Sequence, residues 1–487
     1  MKHFLLISLA LFFLVACQTF QPETTAVSAT PAQDSTTTEE TPATSTPLSL
    51  AAEATAVPIT GLGDPFYPEL GDGGIDVLHY DLDLNVDVEA ATIQGTTTIE
   101  AIVTEPRTWF ALDLAGLEVE EVSVNGDPAS FDLQESKLTI FPAEELPQNE
   151  PFTAVIQYAG EPQPINDPGA PIPLGWQSHS SGTFVVSEPT GAMNWFPNNN
   201  HPTDKATYTL RFTLPQPYEI VSNGILIESE QADGDNIFVW QMDQPMASYL
   251  AIAQINQYDV EEEQTDSGVS IRNYFPLDTP HEVRDAFDQT PQMIAFMEET
   301  IAPYPFDSYG VVLLGQPTGW ALETQSLSTY GADGPSQPSV VIHELSHQWF
   351  GDDVSVASWQ DIWLNEGFAT YFEQLWLEYS GQGDIEIAMD GMYQWLAENN
   401  IPSPIPAEVS DLFTAPVYMR GAYTLHALRQ TVGDDKFFQI LRTYYDRHQG
   451  SAASTADFIA VAEEVGGQTA VNILNDWLYA STIPAQR

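Results

Sequence analysis

A change of hydrophobic period part-way along the chain is the strongest constraint on its fold. Tyr80, Leu82, Leu84, Val86 and Val88 alternate with Asp81, Asp83, Asn85 and Asp87. One face of that extended segment is apolar and the other acidic, as in a strand buried on one side only. Residues 96–103, 119–124, 208–214 and 236–242 repeat the pattern, and Asn125-Gly126 supplies a turn after one of them. From about His281 the spacing becomes helical, with Val283, Phe287, Ile294 and Met297 as its first apolar stripe. Residues 281–301, 340–350, 361–380, 418–432, 435–448 and 455–465 read as helices. The expectation is an α+β protein: an N-terminal all-β domain over residues 58–260, then a mostly helical domain over 261–487. A cleft between the two is the place to look for a site.

Composition removes whole classes of function. The 487 residues carry 13 Lys+Arg against 69 Asp+Glu, a formal net charge of −56. Nucleic acid is held by neutralising phosphates with basic side chains, so a nucleic-acid partner is excluded. With 43% hydrophobic residues the chain still has material for large cores, so its acidity belongs to a solvated surface. A field of this sign also draws in cationic substrates. The single cysteine, Cys17, excludes a disulfide framework and any multi-cysteine metal site.

Lys2 and His3 precede an apolar run, residues 4–13, that leads into Leu14-Val15-Ala16-Cys17. The layout is that of a signal peptide, and the run is shorter than the roughly 20 residues of a spanning helix. Leu-Val-Ala-Cys resembles the lipobox of bacterial lipoproteins. The resemblance implies a signal peptide over 1–16, cleavage before Cys17, a diacylglycerol on its sulfur and an extracytoplasmic, membrane-anchored protein. Residues 17–57, rich in Thr, Ser, Pro and Ala, read as a disordered tether.

The helical half opens with His343-Glu344-Leu345-Ser346-His347. Histidines four apart lie on one helix face, so both imidazoles can reach one metal ion, and the intervening glutamate is turned toward a water beside it. Two surface histidines around a solvated glutamate would give the same string, and a third ligand is what separates the readings. A metzincin continuation would need Gly at Phe350 and His at Asp353, and neither is there. Instead, after eighteen intervening residues, Glu366 stands alone in the apolar segment Ile362-Trp363-Leu364-Asn365-Glu366-Gly367-Phe368-Ala369. A carboxylate so placed calls for a cation.

His-Glu-x-x-His, eighteen residues and then Asn-Glu-Gly-Phe-Ala resembles the gluzincin aminopeptidases, peptidase family M1. Phe196-Pro197, His201-Pro202 and Asp204-Lys205-Ala206 resemble the family's β-domain signature, and Tyr304-Pro305-Phe306 its Tyr-Pro-Phe. The likeness runs from about Asp64 to Trp477. It implies a saddle-like β domain before a thermolysin-like zinc metallopeptidase domain, with one Zn2+ held by His343, His347 and Glu366. It also implies Glu344 as general base and Tyr418, in Val417-Tyr418-Met419-Arg420-Gly421-Ala422, as oxyanion donor, with Tyr423 as the alternative. Glu373, two turns after Glu366, either orients a ligand or is a solvated or structural glutamate.

The family's Gly-Ala-Met-Glu-Asn reads Trp320-Ala321-Leu322-Glu323-Thr324 in this chain. Glu323 is kept, and with Glu188 it is the expected partner of a substrate's free α-ammonium. Met193 and Trp195 are candidates for the first side-chain pocket, with core packing as the competing role. The implied activity is removal of N-terminal residues from peptides. The alternatives are an endopeptidase or epoxide hydrolase on the same fold, and an inactive peptide-binding lipoprotein. Eight residues follow Tyr479, so the family's helical capping domain is expected to be missing and the cleft open.

Overall fold

A computed structural model describes residues 61–486. The signal segment, Cys17 and the 17–57 tether lie outside the described residues. The first half is built on an eight-stranded sheet. Its centre is Ile75–Asp87, paired in parallel with Lys205–Pro215 and antiparallel with Thr92–Val103. Inward residues of Ile75–Asp87 are buried and the acidic ones face out, as the alternation requires, with a register shift at Val77/His79. Aromatic side chains fill the inner face: Tyr80 stacks on Tyr208 with ring centroids 5.0 Å apart and meets Phe196 edge-on at 5.7 Å.

The second half opens on a five-stranded sheet, in the order Tyr258–Gln264, Ser270–Pro276, Ser308–Leu313, Ser328–Tyr330, Ala321–Leu322. Helices α1 (Thr290–Thr300), α2 (Pro338–Ser346) and α3 (Trp363–Tyr379) follow. They are succeeded by α4 (Ile385–Glu398), α5 (Gly421–Val432), α6 (Asp434–His448), α7 (Thr455–Gly466) and α8 (Gln468–Tyr479). Starts and stops follow local chemistry. The Asp384 side chain accepts the Glu386 and Ile387 N–H groups to begin α4, and Ser454 and Asp457 form a reciprocal cap on α7. Gly433, at φ +80°, separates α5 from α6.

The fold is α+β, β first and helical second, as the change of period predicts. Several elements depart from the detail: α4 and α8 lie outside the helices read from the sequence, and α2 stops at Ser346 instead of running to Phe350. Residues 281–301 are not one helix but a four-residue turn of helix, a 3-10 turn and then α1, which starts afresh with Pro291 in its first turn. Before α5, residues Pro416–Arg420 are wound as a π-helix. The described residues form one compact unit. Lys205, at the start of a central strand of the first sheet, donates from Nζ to the carbonyls of Asp352 and Asp353 at 2.7 and 2.8 Å. Asp64 accepts from Ser358 Oγ and the Trp359 N–H at 2.9 and 2.8 Å. The β half is thereby tied at two points to the segment between α2 and α3.

Candidate active site

Helix α2 ends at the site, presenting His343 from its last turn and His347 from its C-cap. The two rings stand 5.0 Å apart, centroid to centroid. Helix α3 brings Glu366 in its first turn, so that Glu366 Oε2 lies 3.3 Å from His343 Nε2 and 3.6 Å from His347 Nε2. Each imidazole is fixed from behind: His343 Nδ1 is 2.9 Å from Glu373 Oε1, and His347 Nδ1 is 3.1 Å from the Phe350 carbonyl. Both partners only accept, so each Nδ1 carries a hydrogen and each Nε2 is the nitrogen that can present a lone pair to a cation. Two lone pairs and a carboxylate oxygen converging in a buried pocket fit a cation, and two imidazoles with one carboxylate fit a zinc-type one.

Among the protein groups alone, burial lowers His343, but its bonds to Glu366 and Glu373 outweigh it and hold the imidazole well above its ordinary range. Burial pushes the His347 imidazole down to about 4, so it is neutral and free to ligate. Burial raises Glu366, but His347, His343 and a hydrogen bond from Tyr418 outweigh it and hold the carboxyl below its ordinary range. Among the protein groups alone, burial pushes Glu344 up to about 8, with His343 opposing and Glu366 and Glu373 adding. Glu188 and Glu323 are driven well above the usual carboxylate range, first by burial and then by neighbouring carboxylates. Crowded buried acids of this kind hold their protons among the protein groups alone, and a cation beside them would favour their charged forms.

The structure brings His343, His347, Glu366, Glu344, Glu323, Glu188 and Tyr418 together and leaves Tyr423 out. Glu344 and Glu323 share a set with His347 whose ligand atoms lie within 4.8 Å of one another, and Glu188, Glu323 and Glu366 form another. Glu188 Oε1 and Glu323 Oε1 are buried and have no hydrogen-bond partner among the described residues. Tyr418, on the π-helical turn, lies over His343 with ring centroids 6.1 Å apart and nearly parallel planes. Tyr423 is elsewhere, packed 4.5 Å from Trp477 in the core. Trp195 is fully buried against Trp176 and Phe196, and the Met193 carbonyl accepts the Ala115 N–H. Trp195 belongs to packing.

Two glycines permit the geometry. A Cβ on Gly367 would lie 2.9 Å from Cα of Gly421, so α3 and the start of α5 approach backbone to backbone. That contact sets Glu366 beside the turn that carries Tyr418. Gln348, which the sequence does not single out, is fully buried between α2 and the Glu323 segment. Only its position after His347 could have drawn attention to it.

The chain matches known families over most of the described region. Residues 77–250 match the peptidase M1 N-terminal domain and residues 285–477 the peptidase family M1 domain. Aminopeptidase M1 of Arabidopsis thaliana is 25% identical over 438 residues, 82% of this chain and 49% of that protein. Glutamyl aminopeptidase of Sus scrofa is 26% identical over 451 residues, 83% and 47% of the two chains. The chain thus spans about half the length of the curated relatives it matches. Among solved structures, an M1 zinc metallopeptidase from Deinococcus radiodurans superposes with a TM-score of 0.83 at 31% identity, covering 87% of this chain and 99% of that one. A variant of that metallopeptidase was solved bound to a Tyr-Ser-Ala substrate.

Proposed function

The chain belongs to peptidase family M1, and from that premise we propose that it is a zinc aminopeptidase removing N-terminal residues from peptides. One observation carries the reading. Two buried carboxylates, Glu188 and Glu323, each with one oxygen unpartnered among the described residues, stand beside the convergent His343, His347 and Glu366. They are acceptors for an ammonium, beside the residues that would hold the metal.

The residues then divide the work. His343, His347 and Glu366 hold one zinc, which when bound supplies Lewis-acid polarisation of the scissile carbonyl and an activated water. Glu344 accepts the water's proton as attack proceeds and returns it to the leaving amine. The Tyr418 hydroxyl donates to the oxyanion of the tetrahedral intermediate. Glu323 and Glu188 pair with the α-ammonium and so register the substrate by its first residue. Glu373 and the Phe350 carbonyl keep both imidazoles in the ligating tautomer.

The proposal extends to place. The charged start, the short apolar run and Leu14-Val15-Ala16-Cys17 support an extracytoplasmic lipoprotein anchored to a bacterial cell membrane through Cys17. Among the described residues no helix is long and apolar enough to cross a membrane. Cys17→Ser should move the protein out of the detergent phase or leave it unprocessed, and unchanged partitioning would remove the anchor. For the activity, peptides sharing one sequence should be hydrolysed from the N-terminus when the amine is free and resist when it is acetylated. Equal cleavage of both, or cleavage at internal bonds, would replace the exopeptidase with an endopeptidase.

A further inference from the structure

Glu323 follows the two-residue edge strand Ala321–Leu322 and leads into the turn Thr324-Gln325-Ser326. Ser326 sits at φ +67°, a left-handed conformation that a non-glycine residue keeps only where its surroundings over-determine it. One side chain does most of that. Gln348 Nε2 donates to the Glu323 carbonyl at 2.8 Å, and Gln348 Oε1 accepts the Ser326 N–H at 2.7 Å. A single amide therefore closes residues 323–326 with both of its ends, from the position immediately after the ligand His347.

The surroundings reinforce that clasp. The Tyr304 hydroxyl lies 3.3 Å from the same Gln348 Oε1. From the β half, Asn223 Nδ2 donates to the Gln325 carbonyl at 2.8 Å, and Ser326 Oγ accepts the Gly224 N–H at 2.8 Å. Among the described residues no other side chain clasps the carboxylate of Glu323 in this way, and its Oε1 is buried without a partner. Its position is set through its backbone, and the backbone is set by Gln348.

We propose that Gln348 is a positioning residue for specificity: it fixes the spacing between the amine-binding carboxylate of Glu323 and the metal-ligating histidines, and so sets the preference for a free N-terminus. This rests on the aminopeptidase reading. An apolar side chain at position 348 would leave the Glu323 carbonyl and the Ser326 N–H buried and unpaired. The turn would then relax out of its left-handed conformation and carry the carboxylate with it. A displacement on the order of 1 Å is enough to lose most of an oriented contact.

The test compares kcat/KM for a free and an N-acetylated peptide of one sequence, in the parent and in Gln348→Met. Zinc content and affinity for an amino-acid amide and its acetylated form are measured by titration in parallel. The free-to-acetylated ratio should fall by about tenfold or more in the variant, through a higher KM for the free peptide and weaker binding of the free amide. Zinc content and the acetylated rate should stay near parental values. Should the Met variant not fold, Gln348→Glu keeps the shape and the acceptor for Ser326 while losing the donor to Glu323, and the same fall is expected. A folded variant whose ratio and amide affinity match the parent overturns the inference, as does a uniform loss of all rates together with zinc. A parent that treats both peptides alike overturns the aminopeptidase reading, and this inference with it.

Discussion

Glu373 Oε1 accepts from His343 Nδ1 at 2.9 Å, reaching back from two turns further along the helix that carries Glu366. On the proposed reading, one helix thus supplies both a ligand and the brace of another. Removing the brace frees the His343 ring to change tautomer and orientation. Glu373→Ala is expected to weaken zinc affinity by roughly 10- to 100-fold, with Glu373→Gln losing less because it can still accept. Competition with a chelator of known affinity measures this directly.

Tyr418 and Tyr423 are separated by about one and a half helical turns and, on the proposed reading, by function. Tyr418→Phe is expected to lower kcat by roughly 10²-fold while changing KM little, because the lost hydrogen bond matters chiefly in the transition state. Tyr423→Phe, in the core against Trp477, should leave kcat within about twofold of the parent. Steady-state kinetics on a single aminoacyl substrate checks both.

The glycine contact between α3 and α5 predicts a mutation that acts on packing and activity at once. Gly367→Ala places a methyl against the Gly421 backbone, where no flexible side chain can yield. A loss of about 1–3 kcal/mol of stability is expected. Turnover should drop beyond what unfolding explains, since Glu366 and the Tyr418 turn are pushed apart. Thermal unfolding and kinetics on the same sample separate the two effects.

Asp64 predicts an acid-sensitive tie between the halves. Burial acts to raise its carboxyl, but His201, the Trp359 and Phe66 N–H groups and the Ser358 hydroxyl together hold it down to about 2. A folded pKa below the unfolded value means that the stabilisation is present above about pH 4 and is lost as pH falls through about 2. The difference corresponds to roughly 2 kcal/mol at neutral pH. Asp64→Asn should therefore unfold at lower temperature than the parent near pH 6, and the two curves should converge toward pH 2. A parallel offset at every pH would mean that the charge contributes nothing.

Much of this was legible in the sequence, for identifiable reasons. The strand around Tyr80 announces itself because one of its faces is wet, so polar and apolar residues must alternate. Ser308–Leu313 is buried at all six positions and leaves no period to read. The ligands His343, His347 and Glu366 are close enough in sequence for spacing to expose them. Gln348 is not: its partners at 323 and 326 come from a different element, and an amide after a histidine carries no pattern of its own. Lys205 was visible as part of Asp204-Lys205-Ala206, yet its bonds to the carbonyls of Asp352 and Asp353 depend wholly on how the halves meet.

The central claim is that Glu344 works beside a metal held by His343, His347 and Glu366. It is tested most directly by measuring zinc content and turnover together, in the parent and in Glu344→Gln. About one zinc per chain is expected in both, since Glu344 is not a ligand. Turnover should fall by roughly 10²-fold or more in the variant, which keeps the Lewis acid and loses the base. Chelation should abolish parental activity, and added zinc should restore it. A Glu344→Gln protein with near-parental turnover, or a metal-free parent that still releases N-terminal residues, would contradict the account.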